Sequence, residues 1–179
     1  MIYFTADLHL GHKNIIAHCN RPFESTAEMD EVLLTNWCDR VHETDTVYIL
    51  GDFMFYCKDP EHYLRRLPDR KHLIVGNHDS VWMKKVDVKQ YFVSVQYMLE
   101  LSDGSHRLTL CHYPLMTWNR AAHGSYLLYG HIHNNKDAPY WPLLATMDHA
   151  LNAGVDVNGF RPVTFEELVE NHFRFCNTV

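Results

Sequence analysis

A chain of 179 residues that is 46% hydrophobic and 21% charged is long enough to bury a full core, and it reads as one globular domain over 1–179. Its formal net charge of −6 argues against a protein that grips nucleic acid over a broad basic face, though not against one that meets a small anion at a local positive centre. Five cysteines with no C-x-x-C pair exclude zinc-finger spacing and a disulfide framework, and no stretch approaches the ~20 apolar residues of a membrane span.

The chain opens directly on "MIYFTADLH", with no basic segment ahead of a long apolar run. No signal peptide is therefore expected, and the protein is placed in the cytoplasm with reduced thiols. "IYFTA" (2–6) is the first of three short apolar runs that read as buried strands; "TVYIL" (46–50) and "HLIV" (72–75) follow. Between the first two, Met29, Leu33, Trp37 and Val41 recur every four residues, an amphipathic helix opened by the capping pair Ser25 and Glu28. A shorter helix over 59–67 joins the second and third strands, the alternation of parallel strands with crossover helices. A third helix is expected near 80–90. Beyond it "VSVQYMLEL" alternates, "SDGS" turns and "HRLTLC" returns, which reads as a β-hairpin. "SYLLYG" (125–130) and "HALNAGVDV" supply further strands, and a last helix starts at Thr164, with Glu167 completing a second capping box. The sum is an α/β fold of mixed sheet content.

The residues that follow these strands carry the chemistry. Asp7 and His9 follow the first, Asp52 the second, and Asn77, His78 and Asp79 the third; His112 follows "LTLC", and His131 and His133 follow "LLYG". Open α/β sheets build their sites at such C-terminal strand ends. Gly51, Gly76 and Gly130, just ahead of three of these groups, let the backbone turn and approach a ligand closely. Each short motif alone is most simply a loop, but five in order, each at a strand end, make chance a poor explanation. Two carboxylates, four imidazoles and one amide form an oxygen and nitrogen donor set suited to Mn²⁺, Fe, Zn²⁺ or Ni²⁺. Seven ligands are too many for one tetrahedral ion and suit two ions about 3.5–4 Å apart that share a ligand. Two divalent ions less two carboxylates leave about +2, or about +1 with a bridging hydroxide, which favours a phosphoryl substrate.

The series Asp7-x-His9, Gly51-Asp52, Gly76-Asn77-His78-Asp79, His112 and Gly130-His131-x-His133 resembles the signature blocks of the calcineurin-like metallophosphoesterase superfamily. "FTADLHLGHKNII", "RPF" (21–23) and "GVDVNGFRPVTFEEL" are further similar to its small single-domain bacterial and phage branch, so the likeness spans nearly the whole chain. The resemblance implies a four-layer αββα sandwich of two mixed β-sheets flanked by helices. It implies a hydrolase with two divalent transition-metal ions, manganese first among them: Asp7, His9 and His133 on one, Asn77, His112 and His131 on the other, and Asp52 bridging. A hydroxide between the ions would attack the phosphorus of a small phosphodiester or phosphomonoester. His78 would serve as general acid toward the leaving oxygen, with Asp79 orienting or tuning it, and Asn77 and His12 would bind substrate. The chain departs from the serine/threonine protein phosphatases of the superfamily, reading "GDFMFYC" in place of G-D-x-V-D-R-G, which counts against a protein substrate.

Less is expected of the remaining polar and aromatic residues. Lys13, Asn14, Arg21 and Arg120, and the rings of Phe53, Tyr56 and Trp118, are candidates for phosphate or nucleobase contact but read more simply as rim or packing residues. Two rivals stand beside the phosphoesterase reading. One is a nuclease on single-stranded or cyclic nucleotides, limited by charge and size; the other is a non-catalytic metal-binding scaffold, against which stand His78 and seven intact ligand positions. The expected partner is a small phosphorylated molecule, a nucleotide among the choices, with no membrane and no broad nucleic-acid surface.

Overall fold

The computed structural model describes residues 1–67 and 70–178. Strands β1 (Ile2–Thr5), β2 (Thr46–Ile49), β3 (Arg70–Ile74) and β4 (Ser94–Gln96) lie side by side in that order, every pair parallel. Parallel neighbours need a crossover between them. Helices α1 (Lys13–His18) and α2 (Thr26–Cys38) join β1 to β2, and α3 (Pro60–Leu64) joins β2 to β3. Helix α4 (Asp79–Met83) and a 3-10 turn at Val88–Gln90 join β3 to β4. The second sheet holds β5 (Met98–Ser102), β6 (Arg107–Cys111), β7 (Tyr126–Tyr129) and β8 (Ala150–Asn152) in chain order. Its first pair is antiparallel and the others parallel, with α5 (Trp141–Leu144) between β7 and β8 and α6 (Phe165–Asn177) after them. Only this sheet is mixed. The first, expected to be mixed as well, is parallel throughout because each of its connections is a crossover.

Alternation along the strands builds the layers. Tyr3, Val47, Ile49 and Leu73 pack outward against Met29, Leu33, Leu34 and Trp37 of α2. Phe4, Leu50 and Ile74 point the other way and meet Leu108, Leu110, Leu128 and Leu151 of the second sheet. On that sheet's far side Leu127, Tyr129 and Ala150 pack with Ile132 and with Leu144 of α5. The result is the expected αββα sandwich. The sheets are tied at the β1 edge, where Phe4 bridges Val163 and Ala6 bridges Gly154, and Leu168 of α6 is buried in the cluster between the sheets.

The capping signals hold with one difference. Thr164 and Glu167 form a complete box at α6, whereas at α2 the Glu28 N–H donates to Ser25 Oγ but the Glu28 carboxylate accepts from Glu24 N–H. The expected hairpin is also redrawn. Residues 94–96 pair with β3 in one sheet and 98–102 with β6 in the other, so the alternating run "VSVQYMLEL" changes sheets at Tyr97. Alternation marks a strand without naming the sheet that accepts it. Among the described residues no helix is long and apolar enough to cross a membrane.

Candidate metal centre

The loops that leave β1, β2, β3, β6 and β7 carry the candidate ligands to one place. Asp7, His9 and His133 bring a ligand atom each within 4.8 Å of one another, and so do Asp52, His112 and His131. Asp52 stands between the two groups: its Oδ2 lies 3.5 Å from His9 Nε2, 3.5 Å from His112 Nε2 and 3.9 Å from His78 Nε2. Asn77 joins the second group, with Oδ1 3.0 Å from His112 Nε2.

The local backbone is unusual. Asp7 (φ 58°), His9 (φ 54°), Asp52 (φ 52°), His131 (φ 71°) and His133 (φ 51°) all adopt the left-handed region. Each such residue other than glycine costs about 1–2 kcal/mol, and a set of them persists only where the surroundings over-determine it. The glycines are dictated by the same crowding. A Cβ on Gly51, itself at φ 88°, would lie 2.7 Å from Gly76 Cα, and one on Gly130 would lie 2.8 Å from Asp7 Oδ2.

Electrostatics then define what the site lacks. Asp7, His9, Asp52 and His112 are all 2% exposed or less. Burial raises the Asp7 carboxyl to about 6, against the opposing pull of His133. Burial, with His133 and Arg21 nearby, holds His9 far below the ordinary imidazole range. His9 is therefore neutral, and its buried Nε2 has no hydrogen-bond partner among the described residues. His112 Nδ1 sits 2.8 Å from the Leu50 carbonyl, to which it donates, and this contact turns Nε2 toward Asn77 Oδ1, 3.0 Å away. His133 Nδ1 donates to Asp156 Oδ2 at 2.8 Å, which aims Nε2 inward. Burial opposes a charge on His133, but Asp7 and Asp156 outweigh it and lift its pKa to about 11. An orphaned imidazole nitrogen, a second imidazole turned toward an amide oxygen and two buried carboxylates fit divalent cations with oxygen and nitrogen preference.

The residues around the two clusters take separate parts. Arg21 is not free for phosphate. Its guanidinium grips Asp156 (2.8 and 3.0 Å) and donates to the carbonyls of Asp7 (2.7 Å) and Leu8 (2.9 Å), so it clamps the first loop to the carboxylate that orients His133. Asp79, expected to tune His78, accepts instead from the N–H groups of Gly76 (2.8 Å), Asp52 (2.9 Å) and Phe53 (2.9 Å) and from the Trp82 indole (2.7 Å). No hydrogen bond joins its carboxylate to the His78 ring; it holds the loops that carry Asp52 and Asn77 together. His12 does reach the site: its ring stacks on Phe55 at 3.9 Å and its Nδ1 is 3.3 Å from His9 Nδ1, with burial lowering its pKa to about 4. Phe53 is core, packed among Trp37, Trp82 and Phe92. Trp118 donates to the Ser125 carbonyl, and Arg120 lines a separate cavity of about 250 Å³ with Glu100 and Arg107. Lys13 and Asn14 are exposed on α1.

Three contributors went unread in the sequence. Asp156 lay inside "GVDV", taken for strand, and its only signal was the general need of a ligand histidine for a second-layer acceptor. Phe55 touches His9, His12 and His78, and Tyr113 touches His112 and His131. Neither ring belongs to a ligand motif.

No family model matches this chain. It is 30% identical over 172 residues, 94% of this chain and 89% of the relative, to the uncharacterized protein MJ1445 of Methanocaldococcus jannaschii. It is also 30% identical over 160 residues, 74% of this chain and 77% of the relative, to the gene 66 protein of Mycobacterium phage L5. Among solved structures, AQ665 of Aquifex aeolicus, a protein of unknown function, superposes with a TM-score of 0.74 at 29% identity over 95% of this chain and 98% of that one. The chain belongs to the protein family that holds MJ1445 and the phage gene 66 protein.

Proposed function

We propose that this protein is a dinuclear metal-dependent phosphoesterase acting on a small phosphodiester or phosphomonoester. The observation that carries the reading is Asp52, one of whose buried oxygens stands 3.5 Å from the Nε2 atoms of both His9 and His112, with a cluster of potential ligands on either side. Asp7, His9 and His133 would hold one ion, Asn77, His112 and His131 the other, and Asp52 both. Two divalent ions bound there supply positive charge against the phosphoryl oxygens and lower the pKa of a water to make a nucleophile. Manganese suits the donor set, as do iron, zinc and nickel.

In this reading His78 is the group that meets the leaving oxygen. Its backbone N–H donates to Asp52 Oδ1 at 2.9 Å, while its ring, 37% exposed, lies 3.9 Å from Asp52 Oδ2. An imidazole at the mouth of the site, tethered to the shared carboxylate, is suited to giving that oxygen its proton. Arg21 and Asp156 keep His133 in orientation, Asp79 fixes the Asp52 loop, and Asn77 and His12 would contact the substrate.

Metal-depleted protein supplied with Mn²⁺ is expected to hydrolyse bis-p-nitrophenyl phosphate or p-nitrophenyl phosphate, and Asp52→Asn to lose both ions together with the activity. Failure to turn over either ester with Mn²⁺, Fe²⁺, Ni²⁺ or Zn²⁺ would overturn the reading.

A further inference from the structure

Aromatic rings border both halves of the centre. On the side of His9 and His78, Phe55 stacks on His12 at 3.9 Å and meets the His78 ring edge-on at 4.7 Å, and Tyr56 leans edge-on against Phe55 at 4.5 Å. On the side of the second cluster, Tyr113 meets His112 at 5.0 Å and His131 at 4.7 Å, with its hydroxyl 3.5 Å from Asn77 Oδ1. Both tyrosines leave much of their surface in water, Tyr56 at 69% and Tyr113 at 44% exposed. Tyr56 is in addition left-handed at φ 47°, a costly conformation for a bulky side chain. Exposed rings and stored backbone strain beside a reaction centre make sense where a ligand covers them.

The ligand that fits is planar and apolar on its faces, and it is attached to a phosphate. We propose that Tyr113 and the Phe55–Tyr56 pair are specificity residues selecting a nucleotide ester. The leaving group's ring lies against Phe55 and Tyr56 beside His78, and the base of the retained nucleoside lies on Tyr113. This rests on the phosphoesterase reading above and adds the substrate class. The bond changes are those of hydrolysis: water loses a proton to solvent as its oxygen joins phosphorus, the bond from phosphorus to the leaving oxygen breaks, His78 gives that oxygen its proton, and solvent reprotonates His78.

The test compares kcat/KM of the Mn²⁺-loaded protein for the p-nitrophenyl ester of thymidine 5′-monophosphate and for methyl p-nitrophenyl phosphate. These share a leaving group and differ only in the group retained. The thymidine ester is expected to be preferred by about tenfold or more, the size of one base–aromatic stack. Tyr113→Leu should bring that ratio close to one and Tyr113→Phe should keep it, while Tyr56→Leu should lower both esters and leave the ratio intact. Thermal midpoints check that each variant folds. Equal kcat/KM for the two esters, or a preference that survives Tyr113→Leu, overturns this inference alone. Turnover of neither ester overturns this inference, and the phosphoesterase reading falls with it only if p-nitrophenyl phosphate also goes unhydrolysed with Mn²⁺, Fe²⁺, Ni²⁺ and Zn²⁺.

Discussion

His131 and His133 are two residues apart, and in an extended strand they would share a face. Both are left-handed, at φ 71° and 51°, so the alternation rule lapses and they go to different clusters: His131 with Asp52 and His112, His133 with Asp7 and His9. Backbone strain is thus part of how the ligands are delivered, and it should be measurable. His131→Gly is expected to raise the stability of the metal-free protein by about 1 kcal/mol, because glycine takes the left-handed region freely, while weakening one ion's binding. Calorimetry of the metal-free protein checks this; a lower midpoint would count against the strain argument. His78→Ala should leave metal content unchanged and slow hydrolysis by about 10²–10⁴-fold, most for esters with poor leaving groups. Metal analysis beside a leaving-group series reads both, and an emptied site would mean that His78 is a ligand. At this scale the sequence marks the ligand positions, since "DLH", "GD", "GNHD" and "GHIH" are local. It does not mark Arg21 with Asp156, a contact between residues 135 apart with no local trace.

Elements were legible wherever a local rule decided them. The strands before Asp7, Asp52 and Asn77, and both helix starts at Ser25 and Thr164, follow from apolar runs and capping residues. The hairpin across "SDGS" forms as expected between 98–102 and 107–111, and only the first part of the run departs, because nothing within "VSVQYMLEL" tells residues 94–96 to join β3 instead. Helix α6 shows how an element is fastened once its partner is known. His172 is buried on it, its Nδ1 accepting from the Asn152 N–H of β8 (3.3 Å) and its Nε2 3.3 Å from Cys176 Sγ. Burial lowers its pKa from 6.5 to about 4. The unfolded chain takes up a proton below about 6.5 that the folded one refuses until about 4, so this contribution is whole above pH 6.5 and fades as pH falls between those values. The loss reaches about 3 kcal/mol at most. Urea unfolding at pH 7 and pH 5 should show a smaller drop in His172→Gln than in the unaltered protein, and identical drops would refute the assignment.

Across the whole molecule the candidate metal centre straddles the two sheets. The loops of the first sheet bring Asp7, His9, Asp52, Asn77 and His78, and those of the second bring His112, His131 and His133. Each cluster mixes the two sets, so an ion in either would also stitch one sheet to the other and favour the folded chain. The sandwich in turn explains why motifs scattered from residue 7 to 133 act as one site: strand ends that are distant in sequence converge on one edge.

Anomalous diffraction from crystals of the Mn²⁺-loaded protein tests the central claim most directly. Two peaks about 3.5–4 Å apart are expected astride the Asp52 carboxylate, one against Asp7, His9 and His133 and the other against Asn77, His112 and His131. A single peak, or a peak held by Cys19, His133 and Asp156, which also converge closely enough to bind an ion, would contradict it.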